Sequence, residues 1–216
     1  MLPVYDPVVF DLDGTILDSG PTIVKALEEA CSRIGLVVPE GTDFNLCVGP
    51  PLERILPQVL GSEVDIDAVV ASYRGIYRPM AEQETVPMPG AVDLLTEFRS
   101  EGLKLAIATY KPLDLALTLL ESTGIAHLFD LCGGRLAAND RRTKTAILRD
   151  VLERLKPHPR RPLYIGDHEE DRRAAEVLSV DFVAYEDDTS WLGIRRRVFG
   201  RSERDDDRSH NDAAAG

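Results

Sequence analysis

The sequence has few cysteines and no long apolar run. Its three cysteines, Cys31, Cys47 and Cys132, are too scattered for a disulfide framework or for the close ligand pairs of a zinc site. We therefore expect buried free thiols. No apolar run approaches the roughly 18 residues of a membrane span, and the first residues lack the basic and apolar regions of a secretory signal. These absences predict a cytoplasmic protein.

Positive charge is also in deficit. The 216 residues carry a formal net charge of −12, whereas proteins that bind nucleic acids or acidic membranes present an excess of Lys and Arg. The charge therefore argues against both partners, and an anionic small molecule would need a locally positive pocket. The length and the hydrophobic content of 44% suffice for an α/β domain with an insertion.

The strongest local signal lies in residues 8–15. Residues 8–10 are apolar and predict a buried strand, which Asp11 and Asp13 follow at once. Two carboxylates this close repel each other unless a cation lies between them, so the spacing favours a metal site. Asp and Gly are also common turn residues, and an ordinary turn is the alternative at this point.

The rest of the chain divides into a helical segment and a region in which strands and helices alternate. Residues 18–84 contain helical patterns and no convincing strand, and Ser19 is the expected N-cap of the first helix. From residue 85 onward, four strands near 103–109, 131–132, 162–167 and 181–185 alternate with helices near 91–100, 113–122, 143–155 and 169–178.

This alternation predicts an α/β fold with a Rossmann-like parallel sheet wound by helices. Residues 1–17 and 85–199 would form that core, 18–84 an inserted all-α domain, and 200–216 a charged, disordered tail. Ligands of such sheets bind at the carboxyl ends of the strands. Asp11, Thr109 and Asp167 all stand at such ends of predicted strands.

Four short motifs of the sequence resemble those of a known protein family. Residues 10–15, the strand that ends in Thr109, a lysine at the start of a later helix, and residues 165–171 are similar, in this order, to the four motifs of the haloacid dehalogenase superfamily of phosphohydrolases. The helical insertion resembles the cap of the subfamily that includes phosphoglycolate phosphatases. The resemblance covers residues 7 to about 186.

The resemblance implies a chemistry for the acidic residues. Asp11 would attack the phosphorus and form an aspartyl-phosphate, while Asp13 would protonate the leaving oxygen and then activate water. A Mg²⁺ ion would be held by the carboxylates of Asp11 and Asp167 and the backbone carbonyl of Asp13. Asp171 would lie in the outer shell of the metal site and order a bound water or the lysine.

Thr109 and the lysine would bind the phosphate. Thr109 would donate its hydroxyl to a phosphate oxygen, although a threonine chosen for its strand propensity is the alternative. Lys156 is followed by Pro, as in many relatives, but it lies too close to Asp167 to leave room for a helix between the two motifs. We therefore assign the role to Lys144, with Lys111 as a secondary candidate.

Two further sets of residues have weaker assignments. Gly49 and Arg54 lie where capped relatives have a specificity loop, and Arg54 would clamp an anionic leaving group; a stiff turn that starts a helix is the alternative. The basic run 195–197 is interpreted as a solvated helix face rather than a binding patch.

These assignments predict a Mg²⁺-dependent phosphatase that acts on a small phosphorylated metabolite, such as phosphoglycolate, a nucleotide or a sugar phosphate. Two alternatives stay open. One is a sugar phosphomutase of the same superfamily, and the other is a binding or regulatory protein on this scaffold. The sequence does not predict an oligomeric state.

Overall fold

The computed structural model describes residues 3–137, 140–158, 160–186 and 190–200. The strands are β1 (Tyr5–Phe10), β2 (Leu17–Asp18), β3 (Val86–Pro87), β4 (Leu105–Pro112), β5 (Leu131–Arg135), β6 (Arg161–Gly166) and β7 (Asp181–Ala184). The helices are α1 (Gly20–Arg33), α2 (Leu52–Leu60), α3 (Ile66–Glu84), α4 (Ala91–Ser100), α5 (Leu113–Ser122), α6 (Lys144–Arg154), α7 (Glu169–Leu178) and α8 (Ser190–Phe199). Short 3₁₀ turns lie at Phe44–Cys47 and Ala126–Leu128.

Five parallel strands form the main sheet in the order β5-β4-β1-β6-β7. Strand β1 is central, and its Val9 pairs with Ala106 on one side and with Tyr164 on the other. Every residue of β1 is buried, as expected for a strand of a parallel sheet covered on both faces. The predicted α/β fold class is confirmed.

Helices cover both faces of the sheet. On one face, Val9 and Tyr164 pack in a cluster with buried residues of α6 and α7. On the other, Phe10 and Ile165 belong to a larger cluster with residues of α4, α5 and α8. Neighbouring residues of one strand thus enter different cores, because side chains alternate across a strand.

The predicted strands differ from the structure in detail, and two short strands were missed. Strand β4 begins at Leu105 and continues to Pro112, where it pairs with Arg135 of β5, so it extends three residues beyond Thr109. The two-residue strands β2 and β3 pair antiparallel and join the two ends of the helical segment. Neither strand could be predicted, because two residues are too few to show an alternating pattern.

The helical segment lies between β2 and β3. Helix α1 packs against α3, and the buried Leu27 and Tyr77 of these helices belong to the same cluster as Leu115 of α5. The segment therefore shares its apolar core with one face of the sheet. Its status as a separate domain stays a prediction.

The basic run near the C-terminus is partly packed rather than fully solvated. Nε of Arg195 lies 2.7 Å from Oε2 of Glu97, and the Arg197 guanidinium lies 5.6 Å from the ring centre of Tyr5. The predicted tail lies, apart from Gly200, outside the described residues. Within the described ranges, none of the helices has both the length and the hydrophobicity needed to cross a bilayer.

All three cysteines are free, as expected, but only Cys31 and Cys47 are buried, whereas Cys132 is half-buried. Burial raises the pKa of Cys47 and of Cys132 to about 12. A raised thiol pKa disfavours the thiolate, which is the reactive form.

We predict that Cys47 and Cys132 react slowly with a thiol reagent at pH 8. A free cysteine has a pKa of about 8.5, so a pKa near 12 lowers the thiolate fraction by roughly a thousandfold. The measurement is the rate of labelling by Ellman's reagent, with and without urea. Labelling of these two thiols at the same rate in the folded protein as in urea would contradict the prediction.

Candidate active site at the edge of the sheet

A buried ion-pair network joins three elements at the carboxyl edge of the sheet. Thr143 caps α6 by accepting a hydrogen bond from the Ala146 amide, which places Lys144 in the first turn. Nζ of Lys144 lies 2.6 Å from Oδ1 of Asp11, which follows β1, and 2.9 Å from Oδ1 of Asp171 on α7. At most 3% of any of the three residues is exposed.

The protonation states in this network are set by competing effects. Burial alone would lower the pKa of Lys144, but the neighbouring Asp11 and Asp171 raise it above its usual value. Burial raises the pKa of the Asp11 carboxyl well above its ordinary value, and the Lys144 ammonium acts in the opposite direction. Lys144 is thus a charged ammonium that favours the ionised form of Asp11.

Asp171 is held in place on both of its oxygens. The Tyr164 hydroxyl donates to Oδ1 at 2.8 Å, and the His168 amide donates to Oδ2 at 3.1 Å. Gly166 provides the necessary space, since a Cβ there would lie 2.5 Å from Oδ2 of Asp171. The first turn of α7 can therefore approach the end of β6.

Asp167 is oriented by the turn that follows β1. The Thr15 hydroxyl donates to Oδ1 of Asp167 at 2.8 Å. Gly14 has a φ of +79°, and a Cβ there would lie 2.4 Å from Oδ2 of Asp167. Both the backbone conformation and the close contact require glycine at this position.

Asp11, Asp167 and Asp171 form a group suited to a metal ion. Each offers one carboxylate oxygen, and the three oxygens lie within 4.8 Å of one another. Because both oxygens of Asp171 already accept hydrogen bonds, Asp11 and Asp167 are the better metal ligands. Burial is the main cause of the raised pKa of Asp11, and a cation beside its carboxylate would lower that pKa. A set of oxygen donors fits a hard cation such as Mg²⁺.

The side chain of Asp13 lies outside that group. Its Oδ1 accepts hydrogen bonds from Ser19 at 2.6 Å and from Lys111 at 2.9 Å. The expected pairing of Asp11 with Asp13 around one cation is not seen for the side chains, because β1 ends at Phe10 and the chain turns before Asp13. Coordination through the Asp13 carbonyl stays a prediction.

Ser19 was expected to cap α1, but its hydroxyl makes no capping hydrogen bond and binds Asp13 instead. Lys111 is buried and also donates to the Tyr77 hydroxyl at 2.9 Å. The Thr109 hydroxyl is likewise buried and accepts a hydrogen bond from the Lys111 amide at 3.1 Å. Among the described residues, the Thr109 hydroxyl accepts this bond and donates none, so its proton is free.

A cavity of about 430 Å³ lies beside Asp13 and Lys111, between the helical segment and the sheet edge. Gly49 lines it, as a specificity loop would. Arg54 is not among the lining residues, and its guanidinium forms an ion pair with Glu170 of α7. The predicted clamp on a leaving group is therefore directed at a protein carboxylate in this conformation.

The structure thus brings Asp11, Lys144, Asp167 and Asp171 together, with Asp13, Lys111 and Thr109 beside them. Lys156, the rejected alternative for the phosphate-binding lysine, is exposed and pairs with Glu153 at 2.7 Å. Sequence reasoning assigned no role at the site to four hydroxyl-bearing residues that hold these groups, namely Thr15, Ser19, Tyr77 and Tyr164.

Comparison with known proteins gives the family. The sequence matches the haloacid dehalogenase-like hydrolases over residues 8–185. The chain belongs to this family. The resemblance inferred from the four motifs is confirmed.

Two curated relatives of this haloacid dehalogenase-like hydrolase are 32% identical to it. One is the phosphoglycolate phosphatase of Rhodobacter capsulatus, matched over 82% of this chain and 83% of the relative. The other is the tyrosine-protein kinase PtkA of Mycobacterium tuberculosis, matched over 82% of this chain but only 60% of the relative. A solved structure, the haloacid dehalogenase-like protein SP0104 of Streptococcus pneumoniae, has a TM-score of 0.75 and 26% identity, over 88% of this chain and 90% of that one.

The contact between Gly14 and Asp167 leads to a first prediction at the site. Gly14→Ala adds a strained backbone and a clash with Asp167, so it should weaken Mg²⁺ binding and lower the free energy of unfolding by about 1–2 kcal/mol or more. Gly41→Ala is the matched control, because Gly41 has a φ of +82° but no atom near a Cβ.

Titration calorimetry and urea unfolding measure the two effects. Gly41→Ala should lose stability while keeping its Mg²⁺ affinity. Equal Mg²⁺ affinity in both variants would show that Asp167 does not contribute to the metal site.

The Lys144 network leads to a second prediction. Lys144→Met leaves Asp11 and Asp171 buried without a cation, which should lower the free energy of unfolding by about 3–5 kcal/mol. Lys156→Met removes a solvent-exposed ion pair and should change it by less than about 1 kcal/mol. Urea unfolding of both variants at pH 7 is the measurement, and equal losses would contradict the buried network.

Proposed function

We propose that this chain is a Mg²⁺-dependent phosphatase that hydrolyses the phosphate monoester of a small metabolite through an aspartyl-phosphate on Asp11. The observation that carries the proposal is the convergence of Asp11, Lys144 and Asp167 at one sheet edge, beside a cavity large enough for a small ligand. The relatives named phosphoglycolate phosphatase support it.

In the first step, Asp11 is the nucleophile. Its Oδ1 is held by Lys144, which leaves Oδ2 to attack the phosphorus while the bond to the ester oxygen breaks. Lys144 stabilises the ionised carboxylate that this attack requires. The attack splits one difficult displacement into two easier ones.

Asp13 is the general acid and base. Ser19 and Lys111 fix its Oδ1, which leaves Oδ2 for the ester oxygen. Asp13 gives this oxygen a proton in the first step. In the second step it takes a proton from the water that attacks the phosphorus, which releases inorganic phosphate and restores Asp11.

Asp11 and Asp167 would hold Mg²⁺ with the Asp13 carbonyl, and Asp171 would fix Lys144 from the outer shell. The bound ion supplies positive charge that offsets the carboxylates and the phosphate. Thr109 donates its hydroxyl to a phosphate oxygen, and Lys111 contributes a second positive charge. Such preorganised donors are the main source of catalysis in phosphoryl transfer.

Residues 18–84 act as a cap over this site. Tyr77 on α3 reaches Lys111, and Arg54 on α2 reaches Glu170, so the segment is bonded to the core on two sides. Because only 2% of Asp11 is exposed, substrate enters when the cap moves away. Closure then excludes water from the first step.

Phosphotransfer to protein tyrosine is a second candidate function, because 176 residues of this chain are 32% identical to a protein named as a tyrosine kinase. Both functions would use the same phosphate-binding edge. They differ in the donor, which is a small ester in one case and a nucleoside triphosphate in the other.

The test is phosphate release from 4-nitrophenyl phosphate and from a panel with phosphoglycolate, nucleoside monophosphates and sugar phosphates. We expect activity with Mg²⁺ and none with EDTA. Asp11→Asn should lower kcat by more than about a thousandfold. Asp150→Asn is the control, because Asp150 is an exposed acid on the surface of α6.

Other outcomes point to the alternatives. Full activity in Asp11→Asn would exclude the assigned nucleophile. Conversion of a sugar phosphate to its isomer would indicate a phosphomutase, and labelling of a tyrosine peptide by ATP would indicate a kinase. Mg²⁺ binding without turnover of any ester would favour a regulatory protein on this scaffold.

A further inference from the structure

Arg135 lies in the wall of the cavity and has no part in the mechanism above. It is the last residue of β5, next to Pro112 of β4. Only 12% of its side chain is exposed. A guanidinium buried to this extent needs acceptors for its five N–H donors.

The hydrogen-bond donors of Arg135 are poorly satisfied. Its Nε is buried and has no hydrogen-bond partner among the described residues. The nearest carboxylate is that of Glu53, whose Oε2 lies 3.6 Å from Nη1, which is longer than a hydrogen bond. The other oxygen of Glu53 already binds Arg74 at 2.5 Å.

The charges of the cavity wall show the same imbalance. The lining carries four cationic side chains, Lys111, Arg74, Arg78 and Arg135, and three acids, Asp13, Glu53 and Asp114. Lys111 pairs with Asp13, Arg74 with Glu53 and Arg78 with Asp114. Arg135 is therefore the surplus cation in a chain whose net charge is −12.

The surface beside Arg135 is largely apolar. Tyr73 and Tyr77 stack with their ring centres 4.9 Å apart, and Val70 and Leu115 line the same cavity. An apolar wall with a few polar groups is the usual form of a small-molecule site. Such a wall accommodates the carbon skeleton of a leaving group but does not bind a charge.

We propose that Arg135 is a specificity-determining residue, which binds a second anionic group, a carboxylate or a second phosphate, on the leaving group of the substrate. The inference rests on the proposed phosphatase function, since it names the substrate class of the same site. The phosphate lies beside Asp13 and Lys111, the carbon skeleton lies against the tyrosines, and the second anion accepts hydrogen bonds from Arg135.

The strand register supports this arrangement. Arg135 pairs with Pro112, which directly follows Lys111 on β4. Neighbouring strands lie about 4.8 Å apart, so the two cations arise from adjacent positions of the sheet edge. The two head groups have different partners, because Lys111 reaches Tyr77 on α3 while Arg135 approaches Glu53 on α2. Two anionic groups of one short molecule can engage both.

The experiment compares three phosphate esters of similar length. Monopropyl phosphate has no second anionic group, 3-phosphonooxypropanoate carries a carboxylate as its second anion, and 1,3-propanediol bisphosphate carries a second phosphate. Wild-type protein with Mg²⁺ should prefer the doubly anionic esters in kcat/KM by about 10- to 100-fold, as expected for hydrogen bonds to a charged group. Arg135→Gln should lower that ratio of kcat/KM values at least tenfold. The loss should appear mainly in KM.

Arg33→Gln is the matched control, since Arg33 is exposed on α1 and pairs with Glu29; it should keep the wild-type preference. A second variant, Glu53→Gln, removes the competing carboxylate and should increase the preference. The double variant Glu53→Gln/Arg135→Gln should lose that gain. This result would show that Glu53→Gln acts through Arg135 and not through Arg74, which also binds Glu53.

The outcomes separate the two proposals. If the wild type hydrolyses neither the three esters nor an aryl phosphate, the proposed function fails and the inference fails with it. If it hydrolyses the charged and uncharged esters equally, or if Arg135→Gln slows both by the same factor, Arg135 has only a structural role while the phosphatase function stands. Should Arg135→Gln not fold, the wild-type preference and the Glu53→Gln increase decide the question.

Discussion

The site depends on one buried ammonium group. Lys144 pairs with Asp11 and Asp171 where at most 3% of each residue is exposed, so each charge has lost its hydration and is stabilised by the others. Removing charges from water costs several kcal/mol per ion unless the partners are well placed. The three residues come from the ends of β1, α6 and α7. The parallel sheet allows their convergence, because it delivers these ends to one edge.

A second set of contacts extends from this edge into the helical segment. Asp13 accepts from Ser19 and Lys111, and Lys111 in turn reaches Tyr77. The acid that would serve the leaving group is therefore oriented by a side chain that also contacts the helices above it. This arrangement links the position of those helices to the geometry of the site, with the short β2–β3 pair joining both ends of the segment to the core.

Much of the fold was predictable from the sequence, because continuous apolar strands and amphipathic helices have distinct periods. The strand ends bearing Asp11 and Asp167 were found in this way, and the helix spacing separated Lys144 from Lys156. The supporting hydroxyls were not predictable. Ser19 precedes a helix and looks like an ordinary cap, and Tyr164 looks like any buried aromatic residue of a strand. Their partners are six or more residues away in the chain, so only the folded structure shows the contact.

The most direct test of this account is a crystal structure with Mg²⁺ and beryllofluoride, an analogue of a phosphoryl group bound to a carboxylate. The account predicts that the analogue is attached to Oδ2 of Asp11. The ion should contact Asp11 and Asp167, while Lys144 still bridges Asp11 and Asp171. An analogue attached to another carboxylate, or a Lys144 side chain turned away from Asp11, would contradict it.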